Sequence, residues 1–277
     1  MFRRCTHGGF NLAIVPLNTE TGEIAIGYIT YSPAQQQARK NRQAYIDREK
    51  GSHWVASYHD AIRKITQDLS LTQAGAVIKL LPYLRFKSEG KLISNGKPLK
   101  QTEIQRIFKR SRQQTSVLLN ELETLGIIHI AKEGRSNVFY ISTDYHTMGS
   151  VVEGVKFTKL YQVKLTEVIE GLPLNDVGVL YKILPYFHYS EYYLCDNPDE
   201  DSPQEIRHLD RDELANRIGH DVDTVTRLFT KLRGRKAILT TRAGYTTRYL
   251  VHPDLMFRQQ VETEWTRSVR KMFEQHD

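Results

Sequence analysis

The chain contains one pattern twice. Residues 71–83 read LTQAGAVIKLLPY and residues 174–186 read LNDVGVLYKILPY. At a fixed offset of 103, six of these thirteen positions are identical: Leu71/Leu174, Gly75/Gly178, Lys79/Lys182, Leu81/Leu184, Pro82/Pro185 and Tyr83/Tyr186. The match runs upstream at the same offset through Trp54/Phe157, Tyr58/Tyr161, Ile62/Leu165, Ile65/Val168 and Leu69/Leu172. It resumes downstream at an offset of 110, where Leu99, Glu103, Ile104, Leu118, Leu122, Ile128 and Gly134 face Leu209, Glu213, Leu214, Leu228, Leu232, Ile238 and Gly244. A longer insert in the second copy accounts for the change of offset. A tandem duplication must fold as one unit used twice, so reading one copy reads most of the protein.

Each copy predicts the same element order. Trp54, Tyr58, Ile62 and Ile65 recur at spacings of three and four, a helix period, and Phe157, Tyr161, Leu165 and Val168 repeat it. A second apolar helix is expected over 71–84 and 174–187, with Pro82 and Pro185 stopping or kinking it. The insert FKSEGKLISNGKP reads as a short hairpin in copy one. Its counterpart HYSEYYLCDNPDEDSPQEIRH reads as an acidic surface loop with one short strand near Tyr192–Cys195. Two short helices follow, at 100–109 and 113–124, and again at 210–218 and 223–234. A tight turn joins each pair, at Lys109–Arg112 and at Gly219–Val222. Each copy closes on a hairpin, at 127–141 and 238–251. The fold class is then mainly α with small β-hairpins (α+β): two winged-helix domains in tandem, an N-terminal β-hairpin and a C-terminal amphipathic helix. The expected domains are 1–51, 52–150, 151–253 and 254–277.

Composition narrows the function. The chain has 277 residues, 40% hydrophobic and 26% charged, as in an ordinary globular protein. No run of 18 apolar residues is present, so no membrane span is expected. The N-terminal MFRRCTHGGF has no apolar run behind its arginines and is not a secretory signal. Cys5 and Cys195 are the only cysteines, which offers no disulfide framework and makes the reducing cytoplasm the default. The net charge of +7 is uneven: residues 191–213 carry nine acids, whereas 224–253 carry none. Arg227, Lys231, Arg233, Arg235, Lys236, Arg242 and Arg248 fall in that acid-free stretch. Arg106, Lys109, Arg110, Arg112, Lys132 and Arg135 cluster in the same part of copy one. A repeated basic cluster suits a polyanionic partner, although shared ancestry alone would also repeat it.

The segment GKPLKQTEIQRIFKRSRQQTSVLLNELETLGII resembles the helix-turn-helix of bacterial winged-helix proteins of the MarR-like kind, and LDRDELANRIGHDVDTVTRLFTKLRGRKAIL resembles the same module. The resemblance covers roughly 52–142 and 155–252. The overall plan of two such units is also similar to that of some plasmid replication initiators. The resemblance implies a second helix lying in the major groove of double-stranded DNA with its N-terminal half at the base edges. With the leucine stripe turned to the core, Gln113, Gln114, Ser116, Val117 and Asn120 would read bases in copy one, and Asp223, Thr224, Thr226, Arg227 and Thr230 in copy two. Gln and Asn pair bidentately with adenine and Arg with guanine. Lys109, Arg110, Arg112, Lys132, Arg135, Lys231, Arg235, Arg242 and Arg248 would hold phosphates and fix position. The two reading sets differ, so the expected site has two unlike halves rather than a palindrome. The acid Asp223 marks copy two as the weaker reader.

Other segments leave alternatives open. Residues 33–50 are either a basic arm, through Arg39, Lys40 and Arg42, or a solvated helix. NLAIVPLNTETGEIAIGYIT reads as a hairpin turning near Thr21-Gly22. After Pro253, the stripe Phe257, Val261, Trp265, Val269 and Met272 or Phe273 predicts an amphipathic helix, with Asp254 as a candidate cap. That helix, or the N-terminal hairpin, is a candidate homodimer contact; docking on its own domain is the alternative. The ten histidines form no H-x-x-H, H-E-x-x-H or Cys/His cluster, so no metal site and no cofactor is expected. Tyr161 and Lys164 have the Y-x-x-K spacing of nicking enzymes, but no paired-histidine motif accompanies them, and Tyr161 reads as core. No phosphate-binding loop or nucleophile elbow is present, and the chain reads as non-enzymatic. The expected role is a transcription regulator of a bacterial, plasmid or phage operon. The alternatives are replication initiation at origin repeats and a scaffold whose winged helices bind proteins.

Overall fold

The computed structural model describes residues 6–7, 10–11, 32–39, 53–243 and 246–275. The chain divides into two compact units, Met1–Gly51 with Gln260–Glu262, and Ser52–Gln259 with Thr263–Asp277. In the first, β1 (Thr6–His7) pairs antiparallel with β2 (Phe10–Asn11). Helix α1 (residues 33–39) opens on a reciprocal cap, Ser32 Oγ accepting from the Gln35 amide at 3.2 Å and Gln35 Oε1 from the Ser32 amide at 2.9 Å. The hairpin expected at Thr21-Gly22, and Lys40 and Arg42, lie outside the described residues.

The second unit holds both copies. Copy one runs β3 (Trp54–Tyr58), α2 (His59–Ile65), α3 (Leu71–Leu80), a 3₁₀ turn Leu81–Tyr83, the hairpin β4 (Ile93–Ser94) and β5 (Lys97–Pro98), α4 (Gln101–Phe108), α5 (Arg112–Thr124), β6 (Ile128–Glu133), β7 (Ser136–Ile141) and β8 (His146–Thr147). Copy two runs β9 (Phe157–Tyr161), α6 (Gln162–Ile169), α7 (Leu174–Lys182), a 3₁₀ turn Leu184–Tyr186, α8 (Arg211–Ile218), α9 (Val222–Gly234), β10 (Ile238–Ala243), β11 (Thr246–Val251) and β12 (Met256–Phe257). Helix α10 (Glu264–Gln275) ends the described chain. The class is α+β with small antiparallel sheets. The boundary drawn at 150/151 separates the copies in sequence, but both belong to one compact unit.

The single long helix expected from Trp54 to Ile65 is two elements. Trp54–Tyr58 is a strand and the helix starts at His59; Phe157–Tyr161 and Gln162 repeat the division. Apolar residues four apart satisfy the strand period of two as well as the helix period of 3.6, so Trp54/Tyr58 and Phe157/Tyr161 do not discriminate. Both strands are needed because they pair with each other. The central sheet has the order β12-β9-β3-β8 and is antiparallel throughout. Across β3 and β9, Ala56 faces Lys159, its own equivalent, and Trp54 faces Tyr161 while Tyr58 faces Phe157. On the outer edges, Ala56 pairs with Thr147 and Ser57 with His146, just as Lys159 pairs with Phe257 and Leu160 with Met256. The edge strands β8 and β12 carry no period of their own and were not predicted.

Helices α3 and α7 pack against each other beneath this sheet. Ser70 starts α3 with a capping box, its Oγ accepting from the Gln73 amide at 3.2 Å. Gly75 and Gly178 let the two helices meet. A Cβ at Gly75 would lie 2.0 Å from Leu174 O, and one at Gly178 would lie 2.1 Å from Leu71 O. Thr72 Oγ1 also donates to Asn175 Oδ1, again between equivalent positions. The aromatic rings of Trp54 and Phe157 stack at 6.1 Å.

Two expectations for the C-terminal half change. The loop 188–208 is no solvated excursion: Tyr192, Leu194 and Cys195 are buried, and isolated bridges tie Phe187 to Leu194, Tyr193 to Leu250 and Cys195 to His208. Buried Arg258 clamps it by donating to Phe187 O at 3.0 Å, to Pro198 O at 2.8 Å and to Asp199. The expected stripe also began too early, because Met256–Phe257 is a strand. Thr263 rather than Asp254 caps α10, accepting from the Thr266 amide at 3.2 Å, while Asp254 accepts from Arg270 at 2.7 Å. Val269 and Phe273 are buried, and Phe273 lies 4.6 Å from the His252 ring. Helix α10 therefore docks on its own chain, which occupies the face offered for a dimer. Among the described residues, no helix is long and apolar enough to cross a membrane.

Candidate nucleic-acid interface

Helices α4 and α5 form the first candidate pair. Glu103 Oε2 accepts from the Lys100 amide at 2.9 Å to start α4. Lys109 ends it in the left-handed conformation, with φ of 52°. The chain then enters α5 through Ser111, whose Oγ accepts from the Gln114 amide at 3.2 Å. Thr115, Leu118, Leu119 and Leu122 face the core. In copy two, Asp210 caps α8, Gly219 supplies the left-handed turn at φ of 71°, and Asp221 caps α9 by accepting from the Thr224 amide at 2.7 Å. That bond holds the Asp221 carboxyl below the usual carboxylate range. Lys109 and Gly219 are equivalent residues performing the same turn.

Two buried lysines carried no role in the sequence reading, and one of them helps to place the second pair. Lys79 and Lys182 are equivalent and buried on the central helices. Lys182 donates to Ile218 O, the last residue of α8, at 2.8 Å. A cation there complements the C-terminal end of the helix dipole. Burial pushes its ammonium down to about 8. Lys79 donates to Leu172 O at 2.5 Å, and burial, then the charge of Lys109, lowers its pKa as well. The available signal was identity: a lysine kept at the same offset inside an apolar helix.

The reading set expected in copy one is outward-facing. Gln113, Gln114, Val117 and Asn120 are exposed and Ser116 is half-buried. Gln114 lends its Oε1 to the Ser111 amide at 3.2 Å, which leaves its amide nitrogen outward. The side chains of Gln113, Ser116 and Asn120 enter no hydrogen bond among the described residues. Lys109, Arg110 and Arg112 at the turn and Lys132 and Arg135 on the β6–β7 hairpin are all exposed. The acid between the hairpin cations, Glu133, is held by Lys91 at 2.5 Å and by the Tyr140 hydroxyl at 3.0 Å. Those contacts lower its pKa and neutralise it locally.

The set expected in copy two is largely committed inside the protein. Thr226 Oγ1 donates to Val222 O at 2.8 Å and Thr230 Oγ1 to Thr226 O at 2.9 Å. Arg227 Nη1 lies 3.4 Å and Lys231 Nζ 2.5 Å from the carboxylate of Asp176, a buried residue of α7. Asp223 is exposed and Thr224 half-buried. Among the phosphate candidates, Arg235 and Arg242 are exposed, and Arg248 is half-buried with a buried Nε that has no partner among the described residues. Copy one has the counterpart of the Asp176 clamp as a hydrogen bond without a cation: Gln73 Nε2 donates to Glu121 Oε2 at 3.0 Å. Gln73 is equivalent to Asp176 and Glu121 to Lys231. Val117, equivalent to Arg227, stays 51% exposed.

No protein-family model, curated protein or solved structure matches the chain. Among the described residues, no group of three or more His, Cys, Asp and Glu side chains is placed to hold a metal ion. Tyr161 is buried at the end of β9, and its amide bonds to Leu255 O at 3.1 Å.

Proposed function

We propose that this protein is a sequence-specific binder of double-stranded DNA with two winged helices, acting as a transcription regulator. The observation that carries the reading is the state of α5. A capped helix presents exposed Gln113 and Asn120 and half-buried Ser116, whose side chains enter no hydrogen bond among the described residues, flanked by Lys109, Arg110 and Arg112 at one end and by Lys132 and Arg135 on the adjacent hairpin. Polar side chains able to pair with adenine, ringed by cations able to hold phosphates, are the two contact classes such an interface needs. Helix α9 reads its half-site less strongly, because its threonines bond within the helix and Asp176 engages Arg227 and Lys231.

Gel-shift titrations test the reading. A binder contacting several phosphates loses affinity steeply between ~50 and ~200 mM salt. Asn120→Ala is expected to relax base preference at one position, and Arg135→Ala to weaken all duplexes alike and flatten the salt slope by about 1. Duplex binding that is absent, or insensitive to salt, would transfer the protein to the scaffold role. A footprint over a promoter supports regulation; one over tandem repeats beside an AT-rich tract supports replication initiation.

A further inference from the structure

We infer that the two copies address inverted half-sites from within a single chain, as an intramolecular counterpart of a two-fold dimer. The inference rests on the DNA-binding reading above and concerns the orientation of the two heads. The strand pairing and the close approach of the central helices are reciprocal between the copies, although several side-chain contacts, such as Lys79 to Leu172 O, have no mirror image. Trp54 faces Tyr161 and Tyr58 faces Phe157, the same pair with the copies exchanged. Val55 faces Leu160 and Ser57 faces Thr158 in the same way. Gly75 approaches Leu174 O, and Gly178 approaches Leu71 O. Ala56 meets its own equivalent Lys159, and Thr72 meets its own equivalent Asn175. A contact set in which residue i of one copy meets j of the other, and j meets i, defines an isologous two-fold interface. Copies in head-to-tail sequence related by translation would show none of these reciprocal pairs.

The axis passes between the two candidate reading helices. Thr72 and Asn175 touch across it at the N-terminal ends of α3 and α7. The next residue on each side grips the nearby second helix: Gln73 holds Glu121 of α5, and Asp176 holds Lys231 of α9. Both helices are thus tied at equivalent points to the same end of the axis, and they flank it. Two helices related by such an axis meet the two DNA strands with opposite polarity, so their half-sites run in opposite directions. The unlike residues of the two copies hide this symmetry in the sequence of a natural site.

Making the heads alike exposes it. Asp223→Gln, Thr224→Gln, Thr226→Ser, Arg227→Val and Thr230→Asn together place the α5 set on α9. The full chain and this variant are each used to select from a pool of duplexes randomised over about 30 base pairs, room for two half-sites roughly 10 base pairs apart. The wild type is expected to enrich a two-part motif with unlike halves, and the variant an inverted repeat of the α5 half. That repeat should bind the variant about tenfold or more tightly than the same halves in direct orientation. Native mass spectrometry should find one chain per duplex. Enrichment of a direct repeat, or two chains on the inverted one, would overturn the inference while leaving DNA binding intact; failure of the wild type to enrich any sequence would remove the reading beneath it. The reverse graft (Gln113→Asp, Gln114→Thr, Ser116→Thr, Val117→Arg and Asn120→Thr) makes the same prediction for an inverted repeat of the α9 half, should the first variant not fold.

Discussion

Gly75 lies so close to the carbonyl of Leu174 that a Cβ would sit 2.0 Å from its oxygen, and Gly178 repeats the approach at Leu71 with 2.1 Å. The obstructing atoms are backbone, which cannot rotate aside as a side chain does. An added methyl must separate α3 from α7, and forced overpacking of a close contact costs about 1–3 kcal/mol or more. Gly75→Ala and Gly178→Ala are each expected to lower the unfolding free energy in urea by at least about 2 kcal/mol. The double variant should depart from additivity, because both sites strain one interface. A variant within about 0.5 kcal/mol of wild type would show that the helices do not meet there.

The same glycines illustrate how far the sequence could be read. The two copies, the paired short helices and the hairpins that close each copy followed from repeated spacing and turn residues, because those signals are local. The pairing of β3 with β9 did not. Trp54 and Tyr58 satisfy two periods at once, and only the partner strand decides between them. The seat of α10 and the burial of loop 188–208 depend on Arg258, Tyr192 and Phe273 meeting across long sequence separations, which no window reveals. Among the candidate reading residues, exposure of Gln113 and Asn120 was legible from the leucine stripe. The engagement of Arg227 was not, since its partner Asp176 lies 51 positions away.

Lys109 and Gly219 offer a test that separates stability from binding. A non-glycine residue in the left-handed region costs about 1–2 kcal/mol, and Lys109 sits there with φ of 52°. Gly219 does the same work without a Cβ. Lys109→Gly should stabilise the fold by about 0.5–1 kcal/mol, after allowance for the greater freedom of glycine in the unfolded chain. It should also flatten the salt dependence of duplex binding by about 1, through loss of one phosphate contact. A destabilised variant would mean that the turn is not left-handed.

Stability should fall in mild acid. His146 is buried, bonded through Nδ1 to Ser57 Oγ at 3.0 Å and through Nε2 to the Tyr181 hydroxyl at 3.3 Å. Burial lowers its pKa to about 3, and burial likewise lowers His208 and His252 to about 4 each. Between those values and the ordinary ~6.5, the unfolded chain binds more protons than the folded one, so stability rises with pH across that window. It is fully present above ~6.5 and is lost progressively as pH drops. The equivalent of His146 is Met256. His146→Met should cost about 1–3 kcal/mol at neutral pH by leaving Ser57 and Tyr181 without their partner. It should also shallow the acid slope, measured as urea midpoints from pH 7 to pH 4.5. An unchanged slope would mean that His146 is not a buried neutral base.

Asp176 sets the balance between holding the fold and holding a duplex. Its carboxylate is buried, whereas Arg227 and Lys231, at 54% and 42% side-chain exposure, keep much of their surface in water. Asp176→Asn retains the shape and removes the charge. Pairs this exposed on the cationic side contribute modestly to stability, about 1 kcal/mol or less after screening. For binding the sign reverses, because a released cation is free to meet phosphate. The variant is expected to bind a non-cognate duplex more tightly than wild type at ~100 mM salt, with the slope of log affinity against log salt steeper by about 1–2. The preference set by Asn120 should stay unchanged, since that residue acts from the other copy. Equal slopes for Asp176→Asn and wild type would place Arg227 and Lys231 away from the phosphates and leave α9 outside the interface.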